Sequence, residues 1–540
     1  MTRSPNLPDP VLTDRRQLLK TSAAVTAAAL LPSNVGAAQE AAPTEEPLGG
    51  TLRVAIVGEP PYSADATYTS ATLTRFIANH VFESLFAFDA EMNPQPMLIS
   101  DYSLSEDKRT HTFALRKNVF FRDGTRLHAN DVQSSLIRWG AMTSAGKHVF
   151  SLLSSMTVVD ANSIELAFVR QIDILPHLLA GTDALIVPAY VANQAPVTPM
   201  SFTWMHGTGP YQLVESETPG VIRIERFEGY QSSNAEPSGM AGKKVAWLAA
   251  IEFIEVSDPV ARVNGLLDGT YHFAESIPPD ALATLDADPS IQTLIASPFE
   301  WSALHFNMKR GRFVGERMRR AVQLAFSQQE AAMAAFGRED FVRINPSISG
   351  EESPWFSVAG AEAYNVPDIA QAQALLMETG YAGQPVRMLT TREYPHNYAL
   401  ADFIRTKLEA IGIVVDLEVS DWATLVEERN DPRLYELFVG GNIQQGHPVT
   451  QPFNNPAWAG FWENSAKDSA VTDMLIATSD EAMSAAVDTW TTWIWNDLPF
   501  VKICDNVDVR AHRREVLGYQ NMPAWTFWNV TLEGEETPEV

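Results

Sequence analysis

Cys504 is the only cysteine in a chain of 540 residues. No intrachain disulfide can therefore brace the fold, and no zinc or iron–sulfur cluster can be built from thiolates of this chain alone. Stability has to come from packed apolar side chains. On a soft prior of ~150 residues per domain the length allows roughly two to four domains, each large enough to bury a core. Hydrophobic residues make up 45% and charged residues 19%, the balance of a folded soluble protein. The thiol, in Val501-Lys502-Ile503-Cys504, reads as a small buried apolar residue, since no catalytic motif surrounds it.

The first forty residues read as an address. Thr-Asp-Arg-Arg-Gln-Leu-Leu-Lys at 13–20 is followed by an apolar, small-residue stretch from Ala23 to Leu31. Val35-Gly36-Ala37-Ala38-Gln39 then offers small residues on the near side of a cut after Ala37 or Ala38. Charged, apolar, small is the order of a secretory signal, and the adjacent Arg15-Arg16 make it look like a twin-arginine signal. The apolar stretch is too short to span a bilayer, which takes ~20 residues, and no other segment has an apolar run of that length. Residues 1–38 are thus expected to be a signal peptide, 39–48 a disordered polar leader, and the product a soluble periplasmic protein. Lys+Arg number 39 against Asp+Glu 66, a net charge of −27. That balance, without a basic run, argues against nucleic acid and against anionic lipid as partners.

Along the rest of the chain, strand and helix signals alternate. Gly50–Val57, Thr110–Leu115, Ile251–Val256, Ser302–Met308, Val386–Thr390 and Val414–Val419 read as strands. Leu73–Phe86, Pro259–Leu267, one long segment from Gly315 to Gly337, Asp368–Thr379 and Tyr398–Ile411 read as helices, several closed by glycine. The order predicts an α/β fold with helices covering a sheet.

Catalytic signatures are missing. There is no Gly-x-Ser-x-Gly elbow, no His-Glu-x-x-His, no phosphate-cradling glycine loop and no dinucleotide fingerprint. The carboxylate pairs Glu45-Glu46, Glu351-Glu352 and Glu535-Glu536 read as solvated charge, and the 11 histidines are scattered. A glycosidase pair drawn from distant positions remains compatible with the sequence.

Several motifs fall in a recognisable order. Gly49-Gly50-Thr51-Leu52-Arg53-Val54 is followed by Val81-Phe82-Glu83-Ser84-Leu85 and Asn93-Pro94-Gln95-Pro96-Met97-Leu98. The densest stretch runs from Leu104 to Arg138 and includes Val119-Phe120-Phe121-Arg122-Asp123-Gly124-Thr125 and Ala129-Asn130-Asp131-Val132. Gly207-Thr208-Gly209-Pro210-Tyr211 reads as a tight loop whose glycines supply unusual dihedrals. Arg317-Met318-Arg319-Arg320-Ala321-Val322 and Gly380-Tyr381 come later. Across residues 49–530 the chain resembles the extracytoplasmic solute-binding proteins, family 5, of peptide/nickel-type ABC importers.

That resemblance implies a two-lobed periplasmic-binding-protein fold with an additional inserted domain. Lobe I is expected at 49–84, 185–300 and 498–540, the inserted domain at 85–184, and lobe II at 301–497. It implies a receptor, not an enzyme, that encloses a peptide or other small polar solute as the lobes close and delivers it to the permease subunits of an ABC transporter. It also implies a monomer without cofactor, metal or membrane insertion. The alternatives are an exported hydrolase and a chaperone-like peptide binder. The ligand-binding residues expected at the cleft are Tyr68, Thr69 and Ser70 after the first strand, Trp204 before the Gly-Thr-Gly-Pro loop, Trp422 after Asp421, and Asn442, Gln444 and His447. In dipeptide-binding members an aspartate pairs with the ligand's ammonium where Gln444 stands here. A neutral amide gives no charge-assisted pair, so simple unblocked dipeptides are expected to bind weakly.

Overall fold

The computed structural model describes residues 49–58, 63–443 and 446–534. The expected signal peptide, the leader at 39–48 and Gln444 lie outside the described residues.

In chain order, β1 (Thr51–Ile56) is followed by helix α1 (Thr72–Val81) and the short pair β2 (Phe86–Phe88) and β3 (Pro94–Pro96). Strands β4 (Ile99–Leu104), β5 (Thr110–Leu115), β6 (Leu153–Asp160) and β7 (Ser163–Phe168) form an antiparallel sheet in the order β4-β5-β7-β6, with helix α2 (Ala129–Met142) between β5 and β6 in sequence. β8 (Tyr211–Val214), β9 (Val221–Arg226), β10 (Ala250–Glu255), β11 (Phe273–Ala274), β12 (Ile291–Phe306), β13 (Val342–Arg343), β14 (Val386–Thr390), β15 (Val415–Val419), β16 (Leu437–Ile443) and β17 (Phe500–Arg513) complete the set needed here.

The main sheet runs β15-β14-β16-β12-β17-β11-β1-β10-β9-β8, with β13 beside β17. Parallel neighbours flank β1 and β14, and such strands bury both faces. Their sequences fit: Val54, Ala55 and Ile56 are fully buried, as are Met388 and Leu389. One lobe gathers around β1, the other around β14–β16. The long strands β12 and β17 run through both, paired antiparallel from Ile291–Arg513 to His305–Phe500. Their register shifts between Ala296 and Glu300, and again between Ser302 and Ala303.

Core packing follows the same division, with one difference. Apolar clusters form around β1 and around β14. A third cluster joins the inserted β4–β7 segment (Phe113, Trp139, Val149, Leu178) to Phe453, Trp462, Met474 and Trp490, which lie between β16 and β17.

Two helices differ from expectation. The segment 315–337 is split into Glu316–Leu324 and Gln328–Phe336, because the Ser327 side chain accepts from the Glu330 N–H and starts a second helix. The helix expected at 73–86 stops at Val81. There the Glu83 carbonyl is taken by the Ile186 N–H and the Ser84 hydroxyl by the Gly181 carbonyl, so long-range bonds end the helix. The Gly207–Pro210 loop also has another cause than the dihedrals expected. Neither Gly207 nor Gly209 is among the glycines with positive φ. A Cβ on Gly207 would lie 1.8 Å from the Val81 carbonyl oxygen, so glycine is required by close approach to the end of α1.

Candidate functional site

A cavity of about 880 Å³ opens between the lobes. One wall comes from α1, the β2–β3 turn, residues 177–185, Met240, Lys244 and the segment 521–524. The facing wall comes from Arg343, the loop 350–355, Ile443 and residues 446–450. The walls nearly touch at one point: a Cβ on Gly446 would sit 3.3 Å from the Phe88 ring.

Much of the lining is apolar or aromatic. Trp355 is fixed by donating its indole N–H to the Gly446 carbonyl at 2.6 Å, and its ring lies 4.5 Å from that of His447. His447 is buried, accepts from the Val449 N–H at Nδ1, and has its pKa depressed to about 3 by burial. It is therefore a neutral imidazole at physiological pH.

Four of the five carboxylates of the wall, all but Glu91, are already engaged. Glu83 accepts from the Thr208 hydroxyl at 3.0 Å and from the Tyr230 hydroxyl at 3.1 Å. Burial raises its pKa. Glu352 is held by Arg343 at 3.0 Å. Asp89 accepts from the backbone N–H groups of Glu91 and Asn93 and from the Gln95 amide. Asp183 and Arg75 face one another electrostatically, and burial raises the first and lowers the second. Among the described residues of the wall, Glu91 alone is left, so no two free carboxylates line it.

The residues expected from sequence divide. His447 lines the cavity. Ser70, Trp422 and Asn442 meet instead in an aromatic cluster where the lobes touch. The Ser70 hydroxyl accepts from the Trp458 indole at 3.4 Å. Asn442 bonds His305 at 3.1 Å, and His305 stacks on Phe438 at 4.4 Å. Trp422 begins a helix capped by Asp421, and its Cβ lies 3.6 Å from where a Cβ on Gly58 would be. In the middle sits Arg429, whose guanidinium is 5.6 Å from the Trp422 and Phe438 rings and 5.8 Å from Trp458. Burial lowers its pKa to about 10. Tyr68 is exposed, the Thr69 hydroxyl accepts from the Ala71 N–H before α1, and Trp204 packs against the core around β1. Arg75, Lys244, Trp355 and Arg429 were not expected, because no local pattern marks them.

The sequence model of the bacterial extracellular solute-binding proteins, family 5, matches residues 93–464, most of the chain. The chain belongs to that family. Residues 13–32 match the twin-arginine translocation pathway signal sequence, so this family 5 protein is exported to the periplasm. Among curated relatives, a probable peptide ABC transporter periplasmic-binding protein, y4tO of Sinorhizobium fredii, is 25% identical over 96% of this chain and 99% of its own. The glutathione-binding protein GsiB of Salmonella typhimurium is 24% identical over 87% and 92%. Among solved structures, AgaA of A. tumefaciens R10 in complex with agropinic acid has a TM-score of 0.76 at 21% identity, covering 90% of this chain and 99% of that one. The oligopeptide-binding protein AppA of Bacillus subtilis, in complex with a nonapeptide, has a TM-score of 0.77 at 16% identity, covering 90% and 100%. These neighbours share the two-lobed fold. Among the described residues no helix is long and apolar enough to cross a membrane.

Proposed function

We propose that this family 5 protein captures a peptide or another small polar solute in the cleft between its lobes and hands it unchanged, as a monomer, to the permease of an ABC importer. The observation that carries the reading is the cavity of about 880 Å³ walled by segments from both lobes. That volume is at the upper end of the roughly 300–1,000 Å³ of small-molecule sites, room for a short peptide. Aromatic and methionine side chains supply apolar contact, while Asn79, Thr450 and backbone groups supply neutral polar contact. The engaged carboxylates speak for binding without chemistry. The names of y4tO and AppA agree with a peptide, and that of GsiB with a peptide-like thiol. On this reading Ser70, Trp422 and Asn442 act at the lobe contact and His447 at the cavity wall, and lobe I, inserted domain and lobe II divide as the sequence implies.

Native mass spectrometry of protein purified under mild conditions tests the reading by weighing what co-purifies. The expected result is a peptide-sized or smaller adduct that denaturation releases. Small-angle scattering should show a smaller radius of gyration with that adduct than without it. Protein that carries no adduct and binds no member of a peptide library overturns the peptide reading.

A further inference from the structure

Lys244 lies on the cavity wall and is only 4% exposed. Among the described residues, no carboxylate comes within 4.0 Å of its ammonium, and no protein oxygen accepts from it. Its contact is the face of Trp528, with Nζ 4.2 Å from the ring centroid. A cation–π contact offsets part of the lost hydration but leaves three N–H donors unused. The neighbouring charges do not fill the gap. Glu83, the acid that interacts with Lys244 electrostatically, has one oxygen committed to Thr208 and the other to Tyr230. Arg116, also near Glu83, gives its donors to the carbonyls of Met97, Gln231 and Ser232. His80 is held neutral, its Nε2 accepting from the Phe527 N–H.

Nζ is not wholly enclosed and opens on the cavity, and an ammonium largely withdrawn from water with no protein acceptor is unfavourable. The cost is recovered when a ligand supplies the missing oxygen in a water-poor pocket, where charge-assisted hydrogen bonds are strong. We infer that Lys244 is the anchor for a carboxylate of the transported solute, which enters the α1 end of the cavity acid group first with Trp528 as the wall behind the cation. This rests on the receptor function proposed above and narrows its solute to one that bears a carboxylate. Burial lowers the Lys244 pKa, and the Glu83 charge only partly offsets it.

The test uses the full mature protein and two matched tripeptide pools, one with free C-termini and one with C-terminal amides, measured by calorimetry on wild type and Lys244→Met. The wild type should prefer the free acids by about tenfold or more, the worth of one charge-assisted hydrogen bond, and Lys244→Met should erase the preference. Equal binding of both pools by wild type, or a preference that survives in Lys244→Met, overturns the anchor while leaving a peptide receptor intact. If neither pool binds, the peptide reading fails and glutarate decides the anchor. A glutarate-induced rise in melting temperature that is absent in Lys244→Met supports it, and no rise, or the same rise in both, overturns it. Should Lys244→Met not fold, Lys244→Arg is compared instead. It should keep the acid preference, and loss of that preference overturns the inference.

Discussion

Asp65 and Arg138 form an ion pair whose side chains are 1% and 2% exposed. Arg138, in α2, donates to the two Asp65 oxygens at 2.9 and 2.6 Å, and also to the carbonyls of Ala195 and Thr198. Asp65 accepts in addition from the backbone N–H groups of Met200 and Tyr68. The pair thus ties the inserted segment to the loop that carries Tyr68, Thr69 and Ser70. Removing one partner leaves the other buried and uncompensated, which costs about 3–5 kcal/mol. Asp65→Asn keeps an oxygen for some of these bonds and should fall near the lower end, ~3 kcal/mol, whereas Asp65→Ala should reach the upper end, ~5 kcal/mol. The double variant Asp65→Asn/Arg138→Met buries no unpaired charge and should lose less than the sum of the singles by ~1–3 kcal/mol. Urea unfolding followed by tryptophan fluorescence compares wild type, Asp65→Asn, Asp65→Ala, Arg138→Met and the double variant. Single variants that cost under ~1 kcal/mol, or a double that is simply additive, would refute the reasoning.

Three further outcomes are expected. Gly207→Ala should sharply lower the yield of folded protein, since its Cβ would meet the Val81 carbonyl at 1.8 Å; a variant with wild-type melting temperature contradicts the close-approach account. His80, with Nδ1 on the Phe76 carbonyl and Nε2 on the Phe527 N–H, has its pKa depressed by burial to about 3. The unfolded chain takes that proton near pH 6.5 and the folded one refuses it, so this group's contribution falls as pH drops from about 6.5 toward 3, by ~1.4 kcal/mol per unit. A histidine NMR titration in which the His80 ring moves with a midpoint near 6.5 would sink the claim. Burial pushes the Cys504 thiol well above its usual range, so a thiol reagent at pH 8 should label native protein hardly at all and unfolded protein once; rapid native labelling excludes a buried thiol.

The sequence reads well where local chemistry and tertiary demand agree. Asp368 starts a helix as its position suggests, accepting from the N–H three residues on, and Gly124 makes its turn with φ 81. Export, family and the two-lobed fold follow from motifs with fixed spacing. The helix split at Ser327 was hidden because apolar spacing continues across it, and only the cap reveals the break. The cavity was hardest to read. Its walls are contributed by six or more short segments far apart in sequence, and a lysine such as Lys244 has no signature until Trp528 is placed beneath it. Ser70, Trp422 and Asn442 come from three distant segments, and Arg429, which lies by the Trp422, Phe438 and Trp458 rings, sits at an otherwise ordinary helix terminus that no local pattern marks.

The strands shared by the two lobes have an evolutionary consequence. β12 and β17 each cross from one lobe to the other, and their pairing is continuous over most of their lengths. A recombination breakpoint between the lobes would cut both strands and leave each half with an open sheet edge, so neither lobe can be traded as a module between relatives. Substitutions in the short segments that line the cleft alter its solute contacts without cutting either strand.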